Sequence, residues 1–158
     1  MRMSTISTTT TFNLGEESTD HIQIQDIDNG VFCIKNGIYN LIRDIHFNPN
    51  FPQNQNIRHA CKKSKTVKVW ENNAWITKAL CDIFEQLASR YKSMLYERFV
   101  ILQRNGKIPY EDSITINKSF ATFMLSNAYF TCSQKISALI ENTRGTVAGM
   151  GVPNAWAL

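Results

Sequence analysis

The clearest pattern along the chain is a run of apolar positions that recur every three or four residues from Ile76 to Leu102. This spacing places the side chains on one face of an α-helix. It predicts one amphipathic helix of roughly 27 residues and about 40 Å, ended by Gly106 and Pro109. The apolar stripe is longer than one small core requires, so we expect part of it to pack against another chain. The expected interface residues are Leu87, Tyr91, Met94, Leu95 and Phe99.

Three further segments have helical patterns. Apolar positions between Lys35 and Phe47 share one face, and Asn48-Pro49 predicts the end of that helix because the residue before proline avoids the α region. Residues 15–28 indicate a turn and a short helix capped by Ser18 or Thr19. Residues 111–145 are expected to be mainly helical.

The segment IHFNPNFPQNQNI, residues 45–57, combines turn-forming residues with aromatic ones. Proline fixes φ, and asparagine side chains bond to their own backbone in tight turns, so we predict a rigid joint between a helix and an extended segment. An alternative is that the NQN segment, residues 54–56, forms a base-reading surface, since Asn and Gln amides can bond adenine edges. His46 is expected to lock the joint rather than to catalyse. The joint residues are His46, Phe47, Pro49, Phe51 and Pro52.

The segment TVKVWENNAWITK, residues 66–78, alternates apolar and polar positions around an Asn-Asn pair. Asparagine tolerates the positive φ of a two-residue turn, so the pattern predicts a β-hairpin. Trp70 and Trp75 would lie near its tip. They would either close a small core under the hairpin or stack on bases or a partner.

Together these elements predict an α+β fold, mostly helical, with a small β-hairpin and one long amphipathic helix. Residues 1–15 are expected to form an extended N-terminal arm, because their threonines favour extended backbone. Residues 16–143 are expected to form a single α+β domain, a size that can bury a real core. Residues 144–158 are expected to form a Gly-rich C-terminal tail.

The composition of the chain mainly excludes classes of protein and kinds of site. The chain contains no apolar run near the roughly 18 residues of a membrane span, and residues 1–15 lack the apolar run of a signal peptide. We therefore expect an intracellular protein without membrane contact. The four cysteines, at positions 33, 61, 81 and 132, show neither zinc-site nor disulfide-framework spacing. They indicate reduced thiols and no metal site.

The formal net charge of +4 is unevenly distributed, because the segment from Arg58 to Lys68 holds five Lys and Arg residues and no acid. We expect this segment to be a loop, either a solvated face or a patch that binds phosphate. In the second interpretation the lysines contact phosphates, while Trp70 or Arg58 touches bases. The candidate nucleic-acid-binding residues are Arg58, Lys62, Lys63, Lys65, Lys68 and Trp70.

Residues 12–17, FNLGEE, and residues 38–75, which include the IHFNP joint and the tryptophan hairpin, resemble a module of giant nucleocytoplasmic DNA virus proteins. In that module a Gly-acidic turn precedes a helix pair, the joint, a lysine-containing strand, a hairpin and a long helix. The resemblance covers roughly residues 12–100. The matching positions are Gly15, Glu16, Ile45, His46, Phe47, Asn48, Pro49, Pro52, Asn56, Lys65, Val69 and Trp75.

The resemblance implies a viral origin and a location in the virion or in the host cytoplasm with its viral factory, but no biochemical role. The module often follows a C2H2 zinc finger and an Asn-rich linker, neither of which occurs in these 158 residues. This chain also departs from it at Gln53-Asn54 and in the segment after Gly106.

Functional motifs are scarce. The sequence contains no nucleophile elbow, phosphate loop or metal-ligand pair, which predicts a non-enzymatic protein with no cofactor and no small-molecule ligand. We expect a viral structural or assembly protein that acts as a homo-oligomer or within a larger viral assembly. The alternative is a nucleic-acid-binding protein that uses the basic region 58–70.

Overall fold

The computed structural model describes residues 10–149 of the chain, with side chains described as far as residue 144. The predicted fold class is confirmed, since helices dominate this range, which also contains one small antiparallel sheet. Two short 3-10 helices, Pro52–Asn54 and Phe123–Leu125, connect longer elements. In chain order these are α1 (Ile24–Phe32), α2 (Ile34–His46), β1 (Ile57–Cys61), β2 (Thr66–Glu71), β3 (Ala74–Ala79), α3 (Leu80–Arg104), α4 (Tyr110–Thr122) and α5 (Asn127–Gly149).

The sheet contains the predicted hairpin and a third strand beside it. Asn72 and Asn73 form the turn between β2 and β3 with φ of 50° and 60°, as the sequence predicts. The segment that begins at Arg58 is not a loop, however, because its first residues belong to β1. Ile57 pairs with Val69, and both side chains are buried against the helices. The three strands lie in chain order.

The long helix α3 is confirmed, with 25 residues instead of 27. It begins at Leu80 because Ile76 belongs to β3, where it pairs with Val69. It ends as predicted near Gly106, whose φ of 67° is the left-handed conformation of a helix C-terminus. The N–H of Lys107 then donates to the carbonyl of Leu102 at 2.9 Å, which closes the last turn.

Two other predicted boundaries are wrong. The first helix starts at Ile24, and Gln23 precedes it without a capping bond, so neither Ser18 nor Thr19 is its cap. The backbone N–H of Ser18 instead donates to the Asn54 side chain at 3.1 Å. At the other end, α5 continues to Gly149, through residues 144–149 that were assigned to the tail.

The N-terminal arm is described from residue 10. It does not form a regular strand. It is held on the rest of the molecule by two backbone bonds, in which the N–H groups of Phe12 and Leu14 donate to the carbonyls of Gln53 and Trp70 at 2.8 and 2.7 Å. The remaining arm residues, 1–9, and the tail residues 150–158 lie outside the described range.

The apolar face of α3 forms the centre of the core. Leu87, Tyr91, Leu95 and Phe99 are at most 2% exposed, and Met94 is partly buried against them. The predicted oligomer interface is therefore wrong at these four positions, because their side chains are already covered within the chain. Helices α1 and α2 both pack on α3 and account for much of this cover.

Helices α1 and α2 approach each other at two glycines. A Cβ atom on Gly37 would lie 2.5 Å from the Cα of Gly30, a distance that real side chains do not tolerate. A Cβ on Gly30 would lie 2.9 Å from a methyl carbon of Leu95. This close backbone contact brings α1 and α2 together over α3.

Candidate functional site

A chain of buried polar side chains links the predicted joint to the middle of α3. His46, the last residue of α2, is completely buried. Its Nδ1 lies 2.8 Å from Oδ1 of Asn56, and its Nε2 lies 2.6 Å from the hydroxyl of Tyr91. The amide nitrogen of Asn56 donates to Oε1 of Glu17 at 2.7 Å and to the carbonyl of Phe12 at 3.2 Å.

The partners of this network determine where its protons lie. Because the amide nitrogen of Asn56 faces two acceptors, its oxygen must face His46, so Nδ1 of His46 carries a proton. Tyr91 then donates to Nε2 of a neutral imidazole. The hydrogen bonds of the network thus all run in one direction. Tyr91 donates to His46, His46 donates to Asn56, and Asn56 donates to Glu17.

The electrostatics of the network are consistent with a neutral His46 beside an ionised Glu17. Burial lowers the pKa of His46 below 6.5 and outweighs the opposing attraction of Glu17. Burial alone would raise the pKa of Glu17, but it is held below 4.5 by the His46 ring and by donors from Gly15, Arg90 and Asn56. Since we infer a neutral imidazole, the three donors are the main cause of the lowered pKa of Glu17. Burial also raises the pKa of the Tyr91 hydroxyl.

The other joint residues hold the loop between α2 and β1. Phe51 stacks on His21 with ring centroids 3.7 Å apart, and Phe47 packs partly buried against the core. Pro52 begins the short 3-10 helix, while Pro49 is exposed. Asn54 bonds the backbone of Ser18 in both directions, at 2.8 and 3.1 Å. These contacts agree with a structural joint, and the completely buried His46 has no access to a substrate.

Sequence reasoning had missed Glu17, and it had considered Asn54 and Asn56 only as turn residues or as part of a base-reading surface. Both asparagine side chains are completely buried, so they cannot read bases. Glu17 meets Asn56 across 39 positions of the chain, and His46 meets Tyr91 across 45. No local sequence pattern predicts such pairs. The available signal was modest: polar residues in the joint are flanked by apolar ones and therefore require partners when buried.

The candidate nucleic-acid-binding residues lie in two adjoining places. Lys62, Lys63 and Lys65 occupy the turn between β1 and β2, and their side chains are exposed. Lys65 adopts a φ of 51° to close that turn. Arg58 pairs with Lys68 across β1 and β2, so both project from the same face of the sheet.

This sheet face also carries two tryptophans. Trp70 pairs with Trp75 across the hairpin, with ring centroids 5.4 Å apart in an edge-to-face arrangement. The Arg58 guanidinium lies 3.8 Å from the centre of the Trp75 ring, a cation–π contact. Val67 and Val69 point to the opposite, buried face. We call the set Arg58, Lys62, Lys63, Lys65, Lys68, Trp70 and Trp75 the basic surface.

Helix α5 supports the edge of this surface. The Thr143 hydroxyl accepts a bond from the N–H of His59 at 3.0 Å, which ties α5 to β1. Glu141 on the same helix lies 3.4 Å from the Lys62 ammonium, an ion pair open to solvent. Partial burial lowers the pKa of Arg58, but arginine stays charged at any pH of interest.

Two clefts lie elsewhere on the molecule, and they contain fewer polar side chains that could bind a ligand or react. One of about 360 Å³ lies between the start of α2 and α4, and includes Cys33, Lys35, Ser119 and Thr122. The hydroxyls of Ser119 and Thr122 already donate to helix carbonyls at 3.0 and 2.9 Å. The other, about 490 Å³, is an open groove between α3 and α4. Neither cleft gathers a set of groups that indicates a reaction.

Within residues 10–149, no group of three or more His, Cys, Asp and Glu side chains is arranged to hold a metal ion. In the same range, no helix is both long and apolar enough to span a membrane. Comparison of the chain with known families, curated proteins and solved structures finds no match. The resemblance to a giant-virus module therefore stays a prediction, and only the geometry of the chain bears on its function.

Proposed function

We propose that this chain is a non-enzymatic nucleic-acid-binding protein, and that its basic surface contacts the phosphate backbone. The observation that carries this proposal is the convergence of five cationic side chains on the β1–β2 turn and one sheet face. The strand residues of that face, from residue 58 to residue 79, include no acid. Phosphate contacts by Lys and Arg supply most of the affinity of non-specific nucleic-acid binding.

The nearest acidic side chains do not cancel this charge. Glu71 points to the opposite face of the sheet, as strand alternation requires, and pairs with Lys78 at 2.7 Å. Glu141 faces only Lys62, through a solvent-exposed ion pair of small energy. Lys63, Lys65 and Lys68 are therefore available for a polyanion that lies along the turn and the sheet.

The test is a binding titration with a fluorescently labelled oligonucleotide at several salt concentrations. Five phosphate contacts give a log–log slope of affinity against salt no steeper than about −4 to −5 on duplex DNA. Replacing Lys62, Lys63 and Lys65 by Ser should flatten the slope by about two to three. Affinity that is independent of salt, or unchanged in this triple variant, would remove the proposal.

A matched control removes the same charge from another surface. Arg104, Lys107 and Lys118 are exposed on or near α3 and α4, away from the sheet. Replacing these three residues by Ser lowers the net charge by the same amount. If binding depends on the basic surface and not on net charge, the control keeps the wild-type slope.

A second candidate function is assembly, the role first expected from the apolar stripe of α3. It no longer rests on Leu87, Tyr91, Leu95 and Phe99, which are buried. It is supported instead by large apolar side chains that remain exposed: Tyr110 at 78% and Ile114 at 54% on α4. Sedimentation across micromolar concentrations tests it: Ile114→Glu should dissociate an oligomer, and a wild-type chain that stays monomeric rules the role out over that range.

The location that accompanies either function is the virion or the host cytoplasm with its viral factory. That part of the proposal is supported only by the sequence resemblance to the giant-virus module. Fractionation of infected cells, followed by detection of the chain in purified particles, would test it.

A further inference from the structure

We infer that the ligand of the basic surface is single-stranded nucleic acid, held by a base stacked on Trp70. This inference rests on the proposed function and adds the class of ligand. Its basis is the presence of aromatic rings among the cations. In a duplex the bases are stacked on one another, so a protein ring meets their edges or the backbone; unpaired bases can offer a whole face.

The cations and the rings belong to one surface. Lys68 and Trp70 are two positions apart on β2, so their side chains leave the same face of the strand side by side. Arg58 and Trp75 flank them on β1 and β3 and contact each other across β2. A strand of nucleic acid that crosses this sheet can place a phosphate near a cation while a neighbouring base lies on a ring.

Trp70 shows the surroundings of a ring that stacks. Its side chain is partly exposed, yet its one polar atom, Nε1, is buried. The part of the side chain that meets solvent is therefore apolar. Such a ring gains from contact with the flat face of a base and has no exposed polar atom with which to select one.

The neighbours of Trp70 hold the platform in place. The edge-to-face contact with Trp75 fixes the two rings relative to each other, and Arg58 on β1 reaches across β2 to contact the Trp75 ring. The rings therefore lose little freedom when a base arrives, which favours binding. Sequence preference should be slight, because every base has a face that can stack.

The experiment compares one labelled 20-nucleotide DNA strand with its duplex at the same salt concentration. We expect the wild-type chain to bind the single strand more tightly. Trp70→Leu should weaken single-strand binding roughly 5- to 140-fold, the range expected for one base–aromatic stack. Trp70→Phe keeps a ring and should restore most of the affinity, while the salt slope stays unchanged in both variants.

A second readout covers the case in which Trp70→Leu does not fold. Tryptophan fluorescence of the wild-type chain should be quenched by the unlabelled single strand, and Trp70→Phe, which keeps an aromatic ring in the sheet, should lose most of that quenching. Tyr110→Leu is the matched control, because it removes an exposed aromatic side chain from α4, and should leave affinity and quenching intact.

The outcomes separate this inference from the proposed function. Equal affinity for single strand and duplex, with full binding by Trp70→Leu and loss of binding by the triple lysine variant, overturns the single-strand inference and leaves the proposed function standing. Wild-type quenching that persists in Trp70→Phe also overturns the inference. Absence of binding to both nucleic acids overturns the inference and the proposed function together.

Discussion

The network around His46 and the basic surface are both polar, but they treat their polar groups in opposite ways. In the network each donor meets an acceptor from the same chain, and His46, Asn56 and Tyr91 are completely buried. On the basic surface Lys63 and Lys65 extend into solvent. Buried polar groups are costly to leave unpaired, whereas exposed charges cost little. We therefore expect the network around His46 to contribute strongly to the free energy of unfolding, and the basic surface to contribute little to it and to be available for binding a ligand.

The largest expected effect comes from breaking the network at its centre. His46→Ala removes the partner of Tyr91 and Asn56 and leaves a cavity, so we expect a loss of about 3–5 kcal/mol in unfolding free energy. Chemical denaturation measures it. His59→Ala is the matched control: the bond from this residue to Thr143 uses its backbone N–H, so the cost should be much smaller. Similar losses in the two variants would contradict a special role for the network.

A smaller effect is expected at the end of the network. Tyr91→Phe keeps the ring but removes the hydroxyl that donates to His46, so unfolding free energy should fall by about 1–2 kcal/mol. Tyr110→Phe makes the same change on a side chain that is 78% exposed. That variant should stay within about 0.5 kcal/mol of wild type. If both changes were neutral, the bond between Tyr91 and His46 would contribute nothing.

Acid should weaken the network in two stages. The folded-state pKa of His46 lies below 6.5, so the unfolded chain binds its proton first, and stability falls as the pH drops below about 6.5. Glu17, whose folded-state pKa lies below 4.5, contributes stability above that value which is lost as the pH falls through its folded pKa.

One titrating group changes stability by at most about 1.4 kcal/mol per pH unit. Urea unfolding of the wild type and of His46→Gln between pH 7 and pH 5 tests the first stage. In the variant, the free energy of unfolding should depend less steeply on pH, because the contribution of His46 is absent. An identical pH dependence in both proteins would show that His46 does not titrate as inferred.

The smallest effect on stability is expected at the basic surface. Replacing Lys62, Lys63 and Lys65 by Ser should leave unfolding free energy within roughly 1 kcal/mol, because exposed residues and exposed ion pairs contribute little. Thermal or urea unfolding measures it beside the binding titration. A large loss of stability would mean that the turn has a structural role, and the contrast between the two regions would fail.

Local patterns in the sequence were sufficient for elements that depend on neighbouring residues. The Asn72-Asn73 turn, α2 and the end of α3 at Gly106 follow from turn chemistry, helical spacing and helix capping. For β1 the sequence predicted only an extended segment after the joint, and the residues from Arg58 onward were wrongly expected to form a loop. The strand is stabilised by pairing with β2, and its basic residues resemble those of a loop.

The apolar stripe of α3 shows a different limit. Periodicity correctly indicates that Leu87, Leu95 and Phe99 are buried, but it does not say what covers them. In this chain α1 and α2 do so, with the help of a contact between Gly30 and Gly37 that no periodic pattern reveals. The network around His46 was hidden for the same reason, since its partners are distant in sequence.

The bond between Thr143 and β1 has a consequence for how the protein avoids aggregation. β1 is an edge strand, and unpaired N–H groups on an edge are a template for strands from other chains. Thr143 occupies the outward N–H of His59. The opposite edge strand, β3, carries Lys78, and charged side chains discourage pairing there. Both edges therefore oppose growth into fibres, even though one face of the sheet is partly exposed.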